Sequence, residues 1–124
     1  MSASESNDRV YWVKSNLSDQ SLFLGLNLIA IALWASGIPL ASMATDGDAN
    51  TGLFITSASV GLFLFISTFT TIDRIKSVAD SVPTEIADMA ISKQLKGNPW
   101  FAFAAMIVTV HVGILVGHGI ILLG

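Results

Sequence analysis

The chain has no cysteine and little charge. Of its 124 residues, 12% are charged and 52% are hydrophobic, whereas about 25% of a typical soluble domain is charged. Without cysteine, a disulfide framework, a thiolate metal site and a cysteine nucleophile are excluded. A net charge of −3 with six basic residues does not indicate a nucleic-acid partner. The composition predicts a membrane protein, and the length leaves room for one compact unit.

Long stretches without Asp, Glu, Lys or Arg occur at three places in the chain. A membrane-spanning helix needs about 20 apolar residues, and a helix satisfies its own backbone hydrogen bonds in lipid. We therefore predict an all-α integral membrane protein, with a polar N-terminal tail over residues 1–21 and a single membrane domain over residues 22–124. The three transmembrane helices are expected at residues 22–43, 52–72 and 99–123. Because the intervening residues 44–51 are few and polar, the first two helices should form an antiparallel hairpin.

Basic residues are absent from the loop between the first two apolar segments. All of them fall on one side of a three-helix topology: Arg9, Lys14, Arg74, Lys76, Lys93 and Lys96. The positive-inside rule then places the N-terminus on the cytoplasmic, stromal or matrix side of an inner, plasma or thylakoid-type membrane, and the C-terminus on the opposite side. Tyr11, Trp12 and Trp100 are predicted to anchor the chain at the interface on the N-terminal side.

The segment between the second and third apolar stretches, residues 73–98, is too long to be structureless in a compact protein. Ser81-Val82-Pro83 is typical of a helix start. On a helix, Val82 and Ala90 fall on one face and Ser92 on another. We predict a short amphipathic helix over residues 81–95 that lies on the membrane surface or on a neighbouring subunit. A specific partner-docking role is the alternative.

Proline is rare, and one of the three prolines interrupts the first apolar segment. Because Pro39 lacks an N–H, we expect it to kink or end the helix. Asn27 is the strongly polar residue of that segment and is predicted to hydrogen-bond another helix. The second segment is rich in small and hydroxyl residues, including Ser57 and Gly61, which favour tight helix packing. A polar pore lining is the alternative interpretation of those hydroxyls.

Both histidines of the chain lie in the third apolar segment. Ionisable groups inside a membrane helix are costly, so such residues are functional candidates. His111 and His118 are seven residues apart and share a helix face. The topology places His111 near the middle of the membrane and His118 near its outer boundary.

Three roles are open for these imidazoles. One is a hydrogen bond across helices, to Asn27, to a hydroxyl of the second segment or to a backbone carbonyl. Another is axial ligation of a haem or a chlorophyll-type pigment, with Gly117 beside His118 leaving space for the macrocycle. Since the first two segments contain no histidine, a bis-histidine haem would be shared with another polypeptide. The third is proton relay. Two histidines cannot supply the three or four ligands of a zinc or copper site, so no such metal site is expected.

A second face of the same segment carries glycine. Gly113 and Gly117 form a G-x-x-x-G pair, which lets another helix backbone approach closely. We expect this face to pack against the first two helices, or else against another subunit.

The sequence contains no phosphate-binding loop, no dinucleotide fingerprint and no set of nucleophile, base and orienting residue. The preferred hypothesis is a non-catalytic accessory or structural subunit of an energy-converting membrane complex of the respiratory or photosynthetic type. Its partners would be other membrane subunits and lipid, with a tetrapyrrole held by His111 or His118. The alternatives are a haem- and quinone-binding membrane anchor of a respiratory enzyme, and a homo-oligomeric channel, transporter or pore.

Overall fold

The computed structural model describes residues 3–82 and 90–124. These residues contain no strand and form four helices: α1 (Ala3–Ala44), α2 (Asn50–Asp80), α3 (Ala90–Lys96) and α4 (Trp100–Leu123). Three of them, α1, α2 and α4, are long and apolar enough to cross a membrane. The prediction of an all-α chain with three such helices is therefore confirmed.

The three long helices form an antiparallel series. Along α1 and α2, Ser42 bonds Asn50, Trp34 bonds Ser57, and Asn27 contacts Ser67, so residue numbers rise on one helix as they fall on the other. α4 runs antiparallel to α2 in the same way, because His118 contacts Ser57 and His111 contacts Phe65. We call the end with the α1–α2 loop the hairpin end, and the opposite end the amino-terminal end.

The hairpin between α1 and α2 closes through a tight turn. Asp46 and Gly47 adopt positive φ angles of 51° and 82°, and the Gly47 N–H donates to the carbonyl of Ser42. The Ser42 hydroxyl also donates to Oδ1 of Asn50 over 2.6 Å. The backbone and the side chain of Ser42 thus bond two positions of the loop and the start of α2, which closes the antiparallel hairpin.

The first two helices are longer than their apolar segments. α1 begins at Ala3 rather than at about residue 22, so the expected polar tail is helical from that point, and α2 continues to Asp80 rather than ending near residue 72. Residues 3–24 contain neither glycine nor proline, so nothing in them interrupts the helix. At 1.5 Å per residue α1 extends over roughly 63 Å, about twice the hydrocarbon thickness of a bilayer. Val13 and Val78 are buried where the two extensions meet.

The expected helix over residues 81–95 is found only in part. Ser81 caps the end of α2 instead of starting a new helix, since the residue before Pro83 is disfavoured in helical conformation. Residues 83–89 of that prediction lie outside the described residues. The α3 helix lies against α2, with Ser92 buried and Ala90 exposed.

The bundle buries both polar and apolar side chains, and it carries many large apolar side chains on its outside. Ser57, Thr68 and both histidines are buried, beside a small apolar cluster of Ile31, Trp34 and Leu64. Large apolar side chains point outward; Leu33 is 66% exposed and Phe63 is 70% exposed. An outer surface rich in large apolar side chains is expected of helices that meet lipid rather than water.

Candidate functional site

His118 connects all three long helices toward the hairpin end of the bundle. Its Nδ1 lies 2.6 Å from the Ser57 hydroxyl on α2, and its Nε2 lies 3.0 Å from the carbonyl oxygen of Ala35 on α1. The Trp34 indole N–H of α1 donates to the same Ser57 oxygen over 2.9 Å. One imidazole and one hydroxyl therefore join α4 to both other helices.

The Ala35 carbonyl determines which atoms donate and which accept in the hydrogen bonds of His118 and Ser57. The Ala35 oxygen can only accept, so His118 Nε2 carries the proton, and Nδ1 of the neutral ring is then an acceptor. Ser57 donates its hydroxyl hydrogen to Nδ1 and accepts the Trp34 N–H. Every polar atom of His118 is satisfied in the neutral form, and no imidazolium charge has to be buried.

The Ala35 carbonyl is available because of Pro39. The α1 helix continues through Pro39 to Ala44, so Pro39 does not end it, and the kink expected as the other outcome stays a prediction. In a regular helix the N–H four residues on bonds each carbonyl, and proline has none. The carbonyl that loses its partner is that of Ala35, and His118 donates to it. The imidazole thus replaces the backbone donor that Pro39 removes, as an apolar surrounding requires.

Trp34 lies at the centre of the cluster. It is 5% exposed, and its ring centroid lies 5.5 Å from that of His111 and 5.7 Å from that of His118. Gly61 on α2 makes room for the indole, since a Cβ there would lie 2.5 Å from Cζ2 of Trp34. The predicted packing residues Ser57 and Gly61 are therefore both placed against one tryptophan, which the sequence analysis did not single out.

His111 is bound on one side only. Its Nδ1 lies 2.9 Å from the carbonyl of Ile107 one turn earlier, so Nδ1 is the donor and Nε2 is left as an acceptor. Nε2 is buried and has no partner among the described residues. The ring is held between Trp34 and Phe65, whose centroid is 5.4 Å away in a T-shaped arrangement. His111 therefore has one ring nitrogen without a hydrogen-bond partner among the described residues, and its ring lies between two aromatic side chains.

Neither histidine fits a tetrapyrrole in this arrangement. An axial ligand needs a ring nitrogen with a free lone pair and open space in front of it. Both nitrogens of His118 are hydrogen-bonded. His111 has a free lone pair, but its Nε2 is buried, so the lone pair has no open space in front of it. Part of the described chain would have to move for a macrocycle to bind.

Asn27 forms a second polar contact between α1 and α2, nearer the amino-terminal end. Its Oδ1 accepts from the Ser67 hydroxyl over 2.8 Å, and its Nδ2 donates to the Phe23 carbonyl over 2.9 Å. Thr71 lies at 3.5 Å from the same Nδ2. The structure thus places Asn27 between helices, with its amide engaged on both sides.

The glycine pair of α4 does not touch the other helices. A Cβ added at Gly113 or Gly117 would meet no atom within 4 Å, and Gly113 is exposed. The first expectation for this face, packing against α1 and α2, is therefore wrong for the described residues. His118 takes that position, because its hydrogen bonds to Ser57 and Ala35 turn the opposite side of α4 inward.

The aromatic residues at the amino-terminal end lie on helices. Tyr11 is 75% and Trp12 is 49% exposed on the extension of α1, and Trp100 begins α4 with its ring against Phe103 at 5.9 Å. Trp100 is half-buried. No cluster of three or more potential metal ligands is found in the part of the chain that the structure describes.

Comparison with known protein families, curated proteins and solved structures gave no match. The function has to be argued from the site itself, and the site is a set of internal contacts beside an outward-facing glycine surface.

Proposed function

We propose that the protein is an integral membrane protein that serves as a small, non-catalytic accessory subunit of a larger membrane complex, of an energy-converting kind. In this proposal the amino-terminal end faces the cytoplasm, stroma or matrix, because all basic residues lie toward that side. The proposal rests on one observation. The small-residue face of α4, at Gly113 and Gly117, has no neighbour among the described residues.

A glycine pair on a membrane helix favours close approach of another helix, since backbones can then pack without intervening side chains. Within this chain the inward face of α4 is already occupied by the histidine contacts. The outward face is therefore available to another polypeptide, and its lack of charge suits a partner that is itself a membrane helix. Glycine also lowers intrinsic helix stability by about 1 kcal/mol relative to alanine, which packing can offset.

The hydrogen bonds argue for a structural rather than a chemical role. His118, Ser57 and Trp34 are mutually satisfied, so these groups stabilise the bundle instead of binding a substrate. The haem-anchor alternative loses support at His118, which has no free nitrogen, and would depend on the buried Nε2 of His111. A homo-oligomeric channel or pore remains the competing proposal for the glycine face, because the partner helix could belong to a second copy.

The test is the composition of the assembly extracted from its native membrane in mild detergent. Native mass measurement should give a complex that contains other polypeptides in fixed ratio to this chain. Replacing both glycines, Gly113→Leu with Gly117→Leu, should release the chain from the complex while helical content and thermal stability are retained. Gly25→Leu is the matched control, because a Cβ at Gly25 of α1 also meets no atom within 4 Å in the part of the chain that the structure describes.

Two outcomes would contradict the accessory-subunit proposal. A lone monomer would leave the glycine face without a partner. An assembly made only of copies of this chain would favour the homo-oligomeric alternative, which ion flux in liposomes would then examine.

A further inference from the structure

A cavity of about 370 Å³ lies between α1, α2 and α4 in the amino-terminal half of the bundle. Its walls are mainly apolar, with Leu24, Ile72 and Ile107 among them. Leu28 and Met106 also line it, although 54% and 56% of their surfaces are exposed. The cavity therefore reaches the outward apolar surface between α1 and α4. Its volume lies within the range of small-molecule sites, about 300–1,000 Å³.

One polar group in this cavity has no partner. Thr68 lines the cavity, is 0% exposed, and its hydroxyl makes no hydrogen bond among the described residues. Several other helical hydroxyls donate to the carbonyl four residues earlier, as those of Thr71 and Thr109 do, and that of Ser57 bonds a side chain of another helix. A buried hydroxyl normally has a partner, so the Thr68 hydroxyl is unusual both in the chain and in general.

The Thr68 hydroxyl lies at the deeper end of the cavity. Of the α2 residues that line the cavity, Thr68 is farthest from the amino-terminal end, at the level reached by Leu28 on α1 and Ile107 on α4. Ser21 and Asn98 line the other end, near the start of α4. Leu28 and Met106 are exposed at the level of Thr68, so a ligand dissolved in the bilayer can enter the cavity from the side. Because Thr68 itself is 0% exposed, a lining side chain has to shift before the ligand can bond its hydroxyl.

We propose that this cavity binds the ring of a prenylquinone or its quinol, with one ring oxygen hydrogen-bonded to Thr68 and the prenyl tail extending into the bilayer. The hydroxyl can donate to a quinone carbonyl or accept from a quinol O–H. The uncharged, apolar walls suit a lipid-soluble ring, and Trp100 and Phe103 line the cavity on the α4 side. A phospholipid acyl chain would fill the same walls but leave the hydroxyl of Thr68 unsatisfied.

The experiment titrates the purified full-length protein in micelles with a benzoquinone that carries a decyl chain, and follows quenching of tryptophan fluorescence. Because Trp100 lines the cavity, binding should produce a saturable component of quenching above the linear component due to partition into the micelle. Trp100→Phe should remove that component. Thr68→Val should weaken the affinity about two- to twelve-fold, as expected from loss of one neutral hydrogen bond.

Two further variants make the result specific. Thr109→Val also removes a hydroxyl, but Thr109 is exposed on α4 and bonded to its own helix, so the affinity should not change. Thr68→Ser retains the hydroxyl and should bind within about two-fold of the wild type. It also keeps the test available if Thr68→Val does not fold.

Purely linear quenching in the wild type would overturn the proposal. Saturable quenching of equal affinity in Thr68→Val would also overturn it, and would assign the cavity to an acyl chain. This inference is independent of the accessory-subunit proposal, since it is measured on the isolated chain. The paired replacement of Gly113 and Gly117 should leave the titration unchanged, because neither glycine lines the cavity.

Discussion

At the scale of single residues, the polar groups of Trp34, Ser57 and His118 are buried in the bundle and satisfied there. Ser57 accepts a hydrogen bond from Trp34 and donates one to His118. His118 in turn donates to the Ala35 carbonyl. In an apolar surrounding an unpaired polar group costs more than the bond itself contributes. Removing Ser57 would therefore leave both Trp34 and His118 with an unsatisfied nitrogen.

Ser57→Ala should lower the free energy of unfolding by about 1–3 kcal/mol, since it breaks two interhelical hydrogen bonds. Reversible unfolding in mixed detergent micelles provides the measurement. Ser59→Ala is the control. The Ser59 hydroxyl is exposed and bonds the Ile55 carbonyl of its own helix, so the expected change is within about 0.5 kcal/mol. Equal effects of the two variants would show that the network does not stabilise the bundle.

The residue types of the site were predictable, but their partners were not. Seven-residue spacing places His111 and His118 on one face, and a hydroxyl of α2 or a backbone carbonyl was among the expected partners of each. Which atoms meet depends on how far α4 is rotated and shifted along α1 and α2, and periodicity does not fix that shift. One signal in the sequence does point to Ala35, namely its position four residues before Pro39.

At the scale of the elements, the apolar runs indicate where helices can cross a membrane but not where they end. α1 and α2 continue beyond their apolar segments because the sequence lacks a breaker there, and α2 ends only before Pro83. The glycine pair of α4 illustrates a different limit. A G-x-x-x-G pattern predicts that a helix can approach, but not whether that helix belongs to the same chain.

Close approach of α1 and α2 depends on Gly61. Gly61→Ala places a methyl group 2.5 Å from the Trp34 ring, so the indole or the helix must move. We expect a loss of about 1–3 kcal/mol in unfolding free energy, typical of overpacking, together with altered tryptophan fluorescence. Gly113→Ala adds the same methyl group at a position where it meets none of the described residues. It should leave the free energy of unfolding unchanged or raise it by up to about 1 kcal/mol. If the two variants had the same free energy of unfolding, the Trp34 indole would not be packed against Gly61.

At the scale of the whole molecule, three helices are held together by few apolar contacts and several hydrogen bonds. The buried apolar cluster is small, and the outward surface carries most of the large apolar side chains. When the surroundings are as apolar as the side chains, helix association relies on close packing and on polar contacts. Among the described residues of α4, only His118 forms hydrogen bonds to both α1 and α2. We therefore expect it to contribute most to the association of the three helices.

The most direct test of this role is the coupling energy between Pro39 and His118, from a double-mutant cycle on the free energy of unfolding in mixed micelles. Pro39→Ala restores a backbone N–H for the Ala35 carbonyl, and His118→Leu removes the side-chain donor. If His118 replaces the missing backbone donor, His118→Leu should cost less in the Pro39→Ala background than in the wild type, by about 0.6–1.7 kcal/mol. Additive effects, within about 0.3–0.5 kcal/mol, would contradict the account.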